Sequence, residues 1–202
     1  MKKLMIVLLI AISASTFANS KTGKLEIGDK AVLTDVKMED ISGAKISIDD
    51  AKKANGILVL FSCNTCPFVM QWESRYPDLK AWADKNKVGM VVLNSNHQKH
   101  ESDESMEAMK KHGKEKNYNF YYLLDDESAI ANAFGGQTTP HAFLFDSKME
   151  LAYKGAIDDS YKSANDVKQP YLKDAISSLS SGKEVVVAET KPVGCSIKRK
   201  IE

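Results

Sequence analysis

"GILVLFSCNTCPFV", residues 56–69, decides how the rest of the chain is read. Gly56 to Ser62 is a continuous apolar run bounded by Asn55-Gly56 and the cysteines, which predicts a buried central strand. Beyond it, Phe68, Val69, Trp72, Tyr76, Leu79 and Trp82 recur at three- and four-residue spacing, an apolar helical face that places both tryptophans in the core. A strand running through Cys63-Asn64-Thr65-Cys66-Pro67 into a helix predicts Cys63 at the helix N-terminus and Cys66 one turn in. Sulfurs three residues apart on a helix face the same way and can close a very small ring. Such a ring constrains the unfolded chain weakly, so it staples poorly but opens and closes easily. Backbone N–H groups and the helix dipole favour an anion at the first cysteine. Cys63 is therefore expected to attack and Cys66 to resolve. The competing readings are a structural disulfide, buried thiols or half a zinc site. Zinc is disfavoured because no second ligand pair accompanies Cys195, the third and last cysteine.

Outward from this stretch, strands alternate with helices, the pattern of an α/β layer fold. Residues 28–50 suggest a hairpin turning at Ser42-Gly43. Pro77 must kink or restart the helix after the cysteines. "VGMVVLN" reads as a second buried strand. The following helix is acidic at Asp103 and Glu104 and basic at Lys110 and Lys111, before Gly113. "FYYLLDD" is a strand and "ESAIANAFGG" a helix stopped by glycines. "HAFLFD" and "ELAYKGAID" form a hairpin. A last helix runs between Pro170 and Gly182, and an extended tail carries Cys195.

The first residues, "MKKLMIVLLIAISASTFANS", have a basic start, an apolar run from Leu4 to about Ile12 and small residues near Ala18. They predict a signal peptide over residues 1–18, with Ala14 as the other cleavage point, and one domain over 19–202. No later segment is apolar for long enough to span a bilayer. An exported protein, periplasmic or secreted, is the expectation, and there a cysteine pair tends to be oxidised. With 28 basic and 27 acidic residues the formal charge is +1, falling to −1 without Lys2 and Lys3. Near-neutrality offers no electrostatic case for nucleic acid or an anionic membrane.

Three further features bear on function. In "GGQTTPHAFLFD", Pro140 opens a strand although it cannot donate to a ladder. Read alone, a trans proline on an edge strand is the statistical expectation, since only ~5% of X–Pro bonds are cis. A cis bond would instead turn the Thr139 backbone toward the cysteines, where a substrate peptide could add as a strand. Cys195 in "PVGCSIK" is a candidate second resolving thiol, or else a small apolar residue that packs the tail down. His141 could act beside Cys63 as a cation or a metal ligand, and His97 and His100 follow the second strand. For each histidine a solvated loop residue is the plainer reading.

Taken together, "GDKA", "VLFSCNTCPFV", "LDDESAIANAFGGQTTPHAFLFD", "YKGAIDD" and "ETKPVGCSIK" resemble the thioredoxin-fold superfamily. Within it the likeness is to AhpC/TSA, peroxiredoxin-like redoxins that carry a C-x-x-C, related to the TlpA- and ResA-like proteins. The resemblance implies a thioredoxin-like α/β fold with a central mixed sheet flanked by helices, and a cis bond at Pro140. It implies a thiol-disulfide oxidoreductase with Cys63 and Cys66 catalytic and Thr139 and Pro140 docking substrate. Its partners would be protein disulfides or dithiols and an upstream redox donor, with no cofactor and no metal. Two rivals remain. A thiol peroxidase would use a P-x-x-x-T-x-x-C-P pattern; Cys66-Pro67 match its end, but Cys63 stands at the threonine and Val59 at the first proline. Arg75 and Arg199 are the only arginines available to it. A Sco-like copper carrier would use both cysteines and a histidine, although Sco proteins space their cysteines one residue wider.

Overall fold

The computed structural model describes residues 23–201. In chain order the elements are β1 (Met38–Asp40), β2 (Lys45–Ile46), α1 (Ile48–Ala51), β3 (Ile57–Ser62), α2 (Pro67–Trp72), α3 (Tyr76–Lys85), β4 (Gly89–Asn94) and α4 (Met106–Glu115). They continue with β5 (Tyr121–Leu124), α5 (Ala129–Phe134), β6 (Thr138–Thr139), β7 (His141–Phe145), β8 (Leu151–Gly155), α6 (Tyr171–Ser180) and β9 (Cys195–Ser196). The expected signal peptide lies outside the described residues.

Seven strands form one mixed sheet in the order β2-β1-β5-β4-β3-β7-β8. Next to its middle strand lies β3, every residue of which is buried. It pairs parallel to β4, Ile57 opposite Gly89, and antiparallel to β7, Ile57 opposite Phe145. Because strand side chains alternate, β3 feeds two cores. Leu58 and Leu60 face a layer with Trp72, Tyr76, Leu79, Leu172 and Ile176, from α2, α3 and α6. Ile57, Val59 and Phe61 face another with Ile48, Ile130 and Phe134, from α1 and α5. A strand covered on both faces cannot show polar alternation, which is why its sequence is uniformly apolar. This is the thioredoxin-like architecture that the resemblance implied.

Most local expectations hold. The β1–β2 hairpin turns through Gly43 (φ 88°), and Gly135 (φ 73°) ends α5 in the left-handed conformation. A short 3₁₀ turn, Glu73–Arg75, separates α2 from α3, and Pro77 lies in the first turn of α3, so proline restarts the helix as expected. The tail runs beside β8, where Thr190 N donates to Lys154 O (3.0 Å) and Lys154 N to Ala188 O (3.0 Å). It thereby covers an edge that would otherwise expose unpaired backbone.

Candidate active site

β3 delivers the chain to the site at Ser62, whose hydroxyl lies 3.0 Å from the Tyr76 phenol. The backbone then turns through Cys63, Asn64 and Thr65 and enters α2 at Pro67, with Cys66 as the N-cap. This corrects the expectation of Cys63 at the helix N-terminus and Cys66 one turn inside. Pro67 supplies the reason. Proline favours the first helical position and pushes the residue before it into the extended region. Cys66 accordingly has φ −76° and ψ 124°, so it cannot be helical.

Glu104, fully buried, holds the turn between the cysteines. Its carboxylate accepts from the backbone N–H groups of Asn64 (2.7 Å) and Thr65 (3.1 Å), the Thr65 hydroxyl (2.7 Å) and Asn94 Nδ2 (2.7 Å). Asn64 Nδ2 donates to Asp103 O (2.9 Å), and Asn64 Oδ1 accepts from the Tyr122 hydroxyl (2.9 Å). The sequence reading gave Glu104 to the first turn of α4 and missed this role. In the structure α4 begins at Met106, capped by Ser105, whose hydroxyl accepts from Ala108 N (3.2 Å). Serine is a strong N-cap signal. Reading it as the cap would have put Glu104 outside the helix and left its charge needing partners.

Cys63 (1% exposed) and Cys66 (5%) are buried, Cys195 is half-buried, and all three are free thiols. Cys66 Sγ lies 2.8 Å from Cys195 Sγ and 3.2 Å from the Thr139 carbonyl oxygen. Cys63 Sγ lies 3.2 Å from Thr139 Oγ1. Cys66 is thus in contact with Cys195, and Thr139 lies against both Cys63 and Cys66. A thiol hydrogen bond from Cys63 pulls the Cys66 pKa down against the cost of burial, helped by Cys195 Sγ and by the Val69 and Cys195 backbone N–H groups. The Thr139 carbonyl opposes this, since it accepts from the thiol form only. Cys63 is pushed up because it serves Cys66 as that donor, because it is desolvated, and because the Glu104 carboxylate lies near. Cys195 is also raised, mainly by burial. Of the three sulfurs, Cys66 is the one whose surroundings favour the thiolate, while those of Cys63 and Cys195 favour the thiol.

The tail enters the site as β9. It pairs antiparallel to β6, with Thr139 opposite Cys195 and Thr138 opposite Ser196. The Thr139–Pro140 bond is cis, as the resemblance implied. The docking edge expected for a substrate is therefore already occupied by this chain, and Thr139 is buried. Gly194 makes the approach possible: a Cβ there would lie 2.1 Å from Thr139 O. Beyond the pairing, Ile197 N donates to Gln137 O (3.1 Å) and Lys198 N to Asn96 Oδ1 (2.9 Å).

The histidines go elsewhere. Burial drops His141 to a pKa of about 3, and its Nδ1 accepts from Gln137 N (3.1 Å), so at neutral pH it is no cation beside Cys63. Among the described residues, the cluster of His, Asp or Glu side chains close enough to share an ion is His97, His100 and Asp126, and it contains no cysteine. Both arginines are committed. Arg75 Nη1 pairs with Asp158 Oδ2 (2.5 Å) and donates to Ser160 O (2.7 Å), while Arg199 caps carbonyls at Ala131 and Gly136.

Residues 27–154 match the model of the AhpC/TSA family. No curated protein matches. Among solved structures, an uncharacterized conserved protein from Geobacillus kaustophilus is similar at 28% identity and TM-score 0.81, over 90% of this chain and 96% of that one. A hypothetical protein from Sinorhizobium meliloti 1021 is similar at 27% identity and TM-score 0.80, over 90% and 98%. The peroxidoxin BcpB from Mycobacterium tuberculosis shares the fold at 13% identity and TM-score 0.59, over 78% and 97%.

Proposed function

The chain belongs to the AhpC/TSA family of thioredoxin-fold oxidoreductases, and on that premise we propose that it is an exported thiol-disulfide oxidoreductase acting on protein thiols. The observation that carries this reading is the 2.8 Å approach of Cys195 to Cys66, on a strand that pairs with Thr139. An extended segment with its cysteine presented to a thiolate is the geometry that exchange with a peptide requires. Export rests on the character of residues 1–18.

In this mechanism Cys66, not Cys63, attacks. Its thiolate displaces one sulfur of a substrate disulfide, which leaves as a thiolate and takes up a proton, and a Cys66 mixed disulfide remains. Cys63 or Cys195 then loses its proton, attacks Cys66 Sγ and expels the second substrate sulfur, which accepts that proton. The product is an intramolecular disulfide and a reduced substrate, and an upstream dithiol donor restores the enzyme. Thr139 and Pro140 remain the docking edge, available once β9 moves aside. Cys63 is held in a raised-pKa state as a hydrogen-bond donor and becomes nucleophilic after Cys66 is consumed.

Thiol peroxidase activity is the second reading, favoured by the thiolate at Cys66 before Pro67. It loses weight because both arginines are engaged elsewhere. The two readings separate in single turnover. Reduced protein is mixed with a disulfide-bearing protein or with hydrogen peroxide, and thiol loss is followed. Faster exchange with the protein disulfide is expected, abolished in Cys66→Ser and slowed in Cys63→Ser. Exchange that survives Cys66→Ser, or peroxide consumption that outruns exchange, overturns the proposal.

A further inference from the structure

Two histidines three residues apart bracket a 3₁₀ turn that follows β4: His97 opens it and His100 is its C-cap. With three residues per turn, positions i and i+3 of such a helix eclipse one another, so both imidazoles lie on one side. Their ring centroids are 5.6 Å apart. Asp126, from the turn after β5, approaches the same place. Its Oδ1 is 3.3 Å from His97 Nδ1 and 4.0 Å from His100 Nδ1. One ligand atom from each of the three residues falls within 4.8 Å of the others.

His100 makes this more than a surface cluster. Its side chain is 8% exposed, and among the described residues neither ring nitrogen has a hydrogen-bond partner. Buried polar atoms are nearly always satisfied, and an orphaned one asks what satisfies it. His97 Nδ1 accepts a hydrogen bond from Glu127 N (3.2 Å), an N–H that also donates to Asp126 Oδ1 (2.9 Å).

We propose that His97, His100 and Asp126 form a site for a divalent ion of the zinc class. Two imidazoles and a carboxylate are the donor set of an open tetrahedral zinc site, with water as the fourth ligand. Ligands about 2.0–2.1 Å from such an ion lie about 3.3 Å from each other, which the His97–Asp126 separation already matches. The wider His100 gap closes by a side-chain adjustment, and the ion replaces the Glu127 N–H at His97 Nδ1. Asp126 is well exposed and gives the ion its path from solvent. Soft Cu(I) is disfavoured for want of sulfur, and calcium or magnesium for want of oxygen. An ion here fastens the turn in which Gln98 N donates to Lys198 O (3.1 Å), and with it the end of the tail that presents Cys195.

The test uses the untagged full chain with all three cysteines replaced by serine, titrated with Zn²⁺ by calorimetry and with Co²⁺ by visible absorption. One equivalent is expected, with the intense bands of four-coordinate cobalt. His97→Ala and His100→Ala should each weaken binding at least tenfold, and Asp126→Asn less. No stoichiometric uptake, or uptake indifferent to His100→Ala, overturns the site. X-ray absorption of the wild-type chain carrying one equivalent of zinc reads the same point without touching the cysteines. A shell of nitrogen and oxygen supports the proposal, and a zinc–sulfur shell overturns it.

Discussion

The cysteine turn is gripped from two sides, and the grips differ in kind. On one side Glu104 is fully buried and receives hydrogen bonds from two backbone amides and two side chains of its surroundings. On the other side β9 contributes a strand of two residues, held in place by neighbours at Thr190 and Ile197 rather than by its own length. Moving the first grip would strand several buried donors, each costing about 1–3 kcal/mol. Moving the second breaks backbone pairing with Thr138 and Thr139 but strands no buried carboxylate. The rigid side therefore positions the sulfurs, and the soft side is where a partner enters.

The sharpest way to break this contrast is Glu104→Ala. It leaves Asn64 N and Asn94 Nδ2 buried without their acceptor, so unfolding stability should fall by about 4 kcal/mol in chemical denaturation. Glu104→Gln keeps the volume and removes the charge. Since that charge helps to hold the Cys63 proton, Cys63 should alkylate at lower pH in Glu104→Gln than in the parent, both measured on a Cys66→Ser background. A loss near zero in the alanine variant would show the turn to be self-supporting.

His141 follows Pro140 at the start of β7. Its pKa is about 3 in the folded chain against 6.5 for a free imidazole, because burial disfavours the cation. Between those values the unfolded chain binds the extra proton. Stability is then full above pH 6.5 and is lost as pH falls toward 3, by at most about 1.4 kcal/mol per unit. His141→Gln, which keeps an acceptor for Gln137 N, should flatten that slope in denaturation curves at pH 4, 5 and 6. An unchanged slope would assign the acid sensitivity to carboxylates.

The rigid and soft sides were not equally legible in the sequence. β3 was plain because burial on both faces leaves an uninterrupted apolar run, and β7–β8 because a polar turn divides two strands. That both cysteines lie between a buried strand and a helix followed from the apolar run before them. Their place relative to the helix did not, because Pro67 sets the N-cap at Cys66, three residues beyond Cys63. Glu104 was invisible as a site residue: a carboxylate before a helix looks the same whether it meets solvent or the 63–66 turn. Cys195 could be singled out as an odd thiol, but no local pattern encodes a pairing across more than fifty residues with Thr139. His97 and His100 stand out together after β4, but their meeting with Asp126 does not, since it joins the turns after β4 and β5.

Gly194→Ala probes the soft side at the smallest cost to the fold. The added methyl would meet the Thr139 carbonyl oxygen at 2.1 Å and its carbon at 2.6 Å, both backbone atoms that cannot swing away. The strand must lift. The bonds at Thr190 and Ile197 lie on either side of it and can persist, so unfolding stability should change by about 1 kcal/mol or less. Two rates should move in opposite directions. Closure of the Cys66–Cys195 disulfide, mapped by mass spectrometry after oxidation, should slow about tenfold, the equivalent of about 1.4 kcal/mol in the barrier. Exchange with a protein disulfide should quicken, because the edge at Thr139 no longer has to be vacated. If closure slows and exchange slows with it, β9 orders the site rather than guarding it, and the contrast between a fixed side and a yielding side fails.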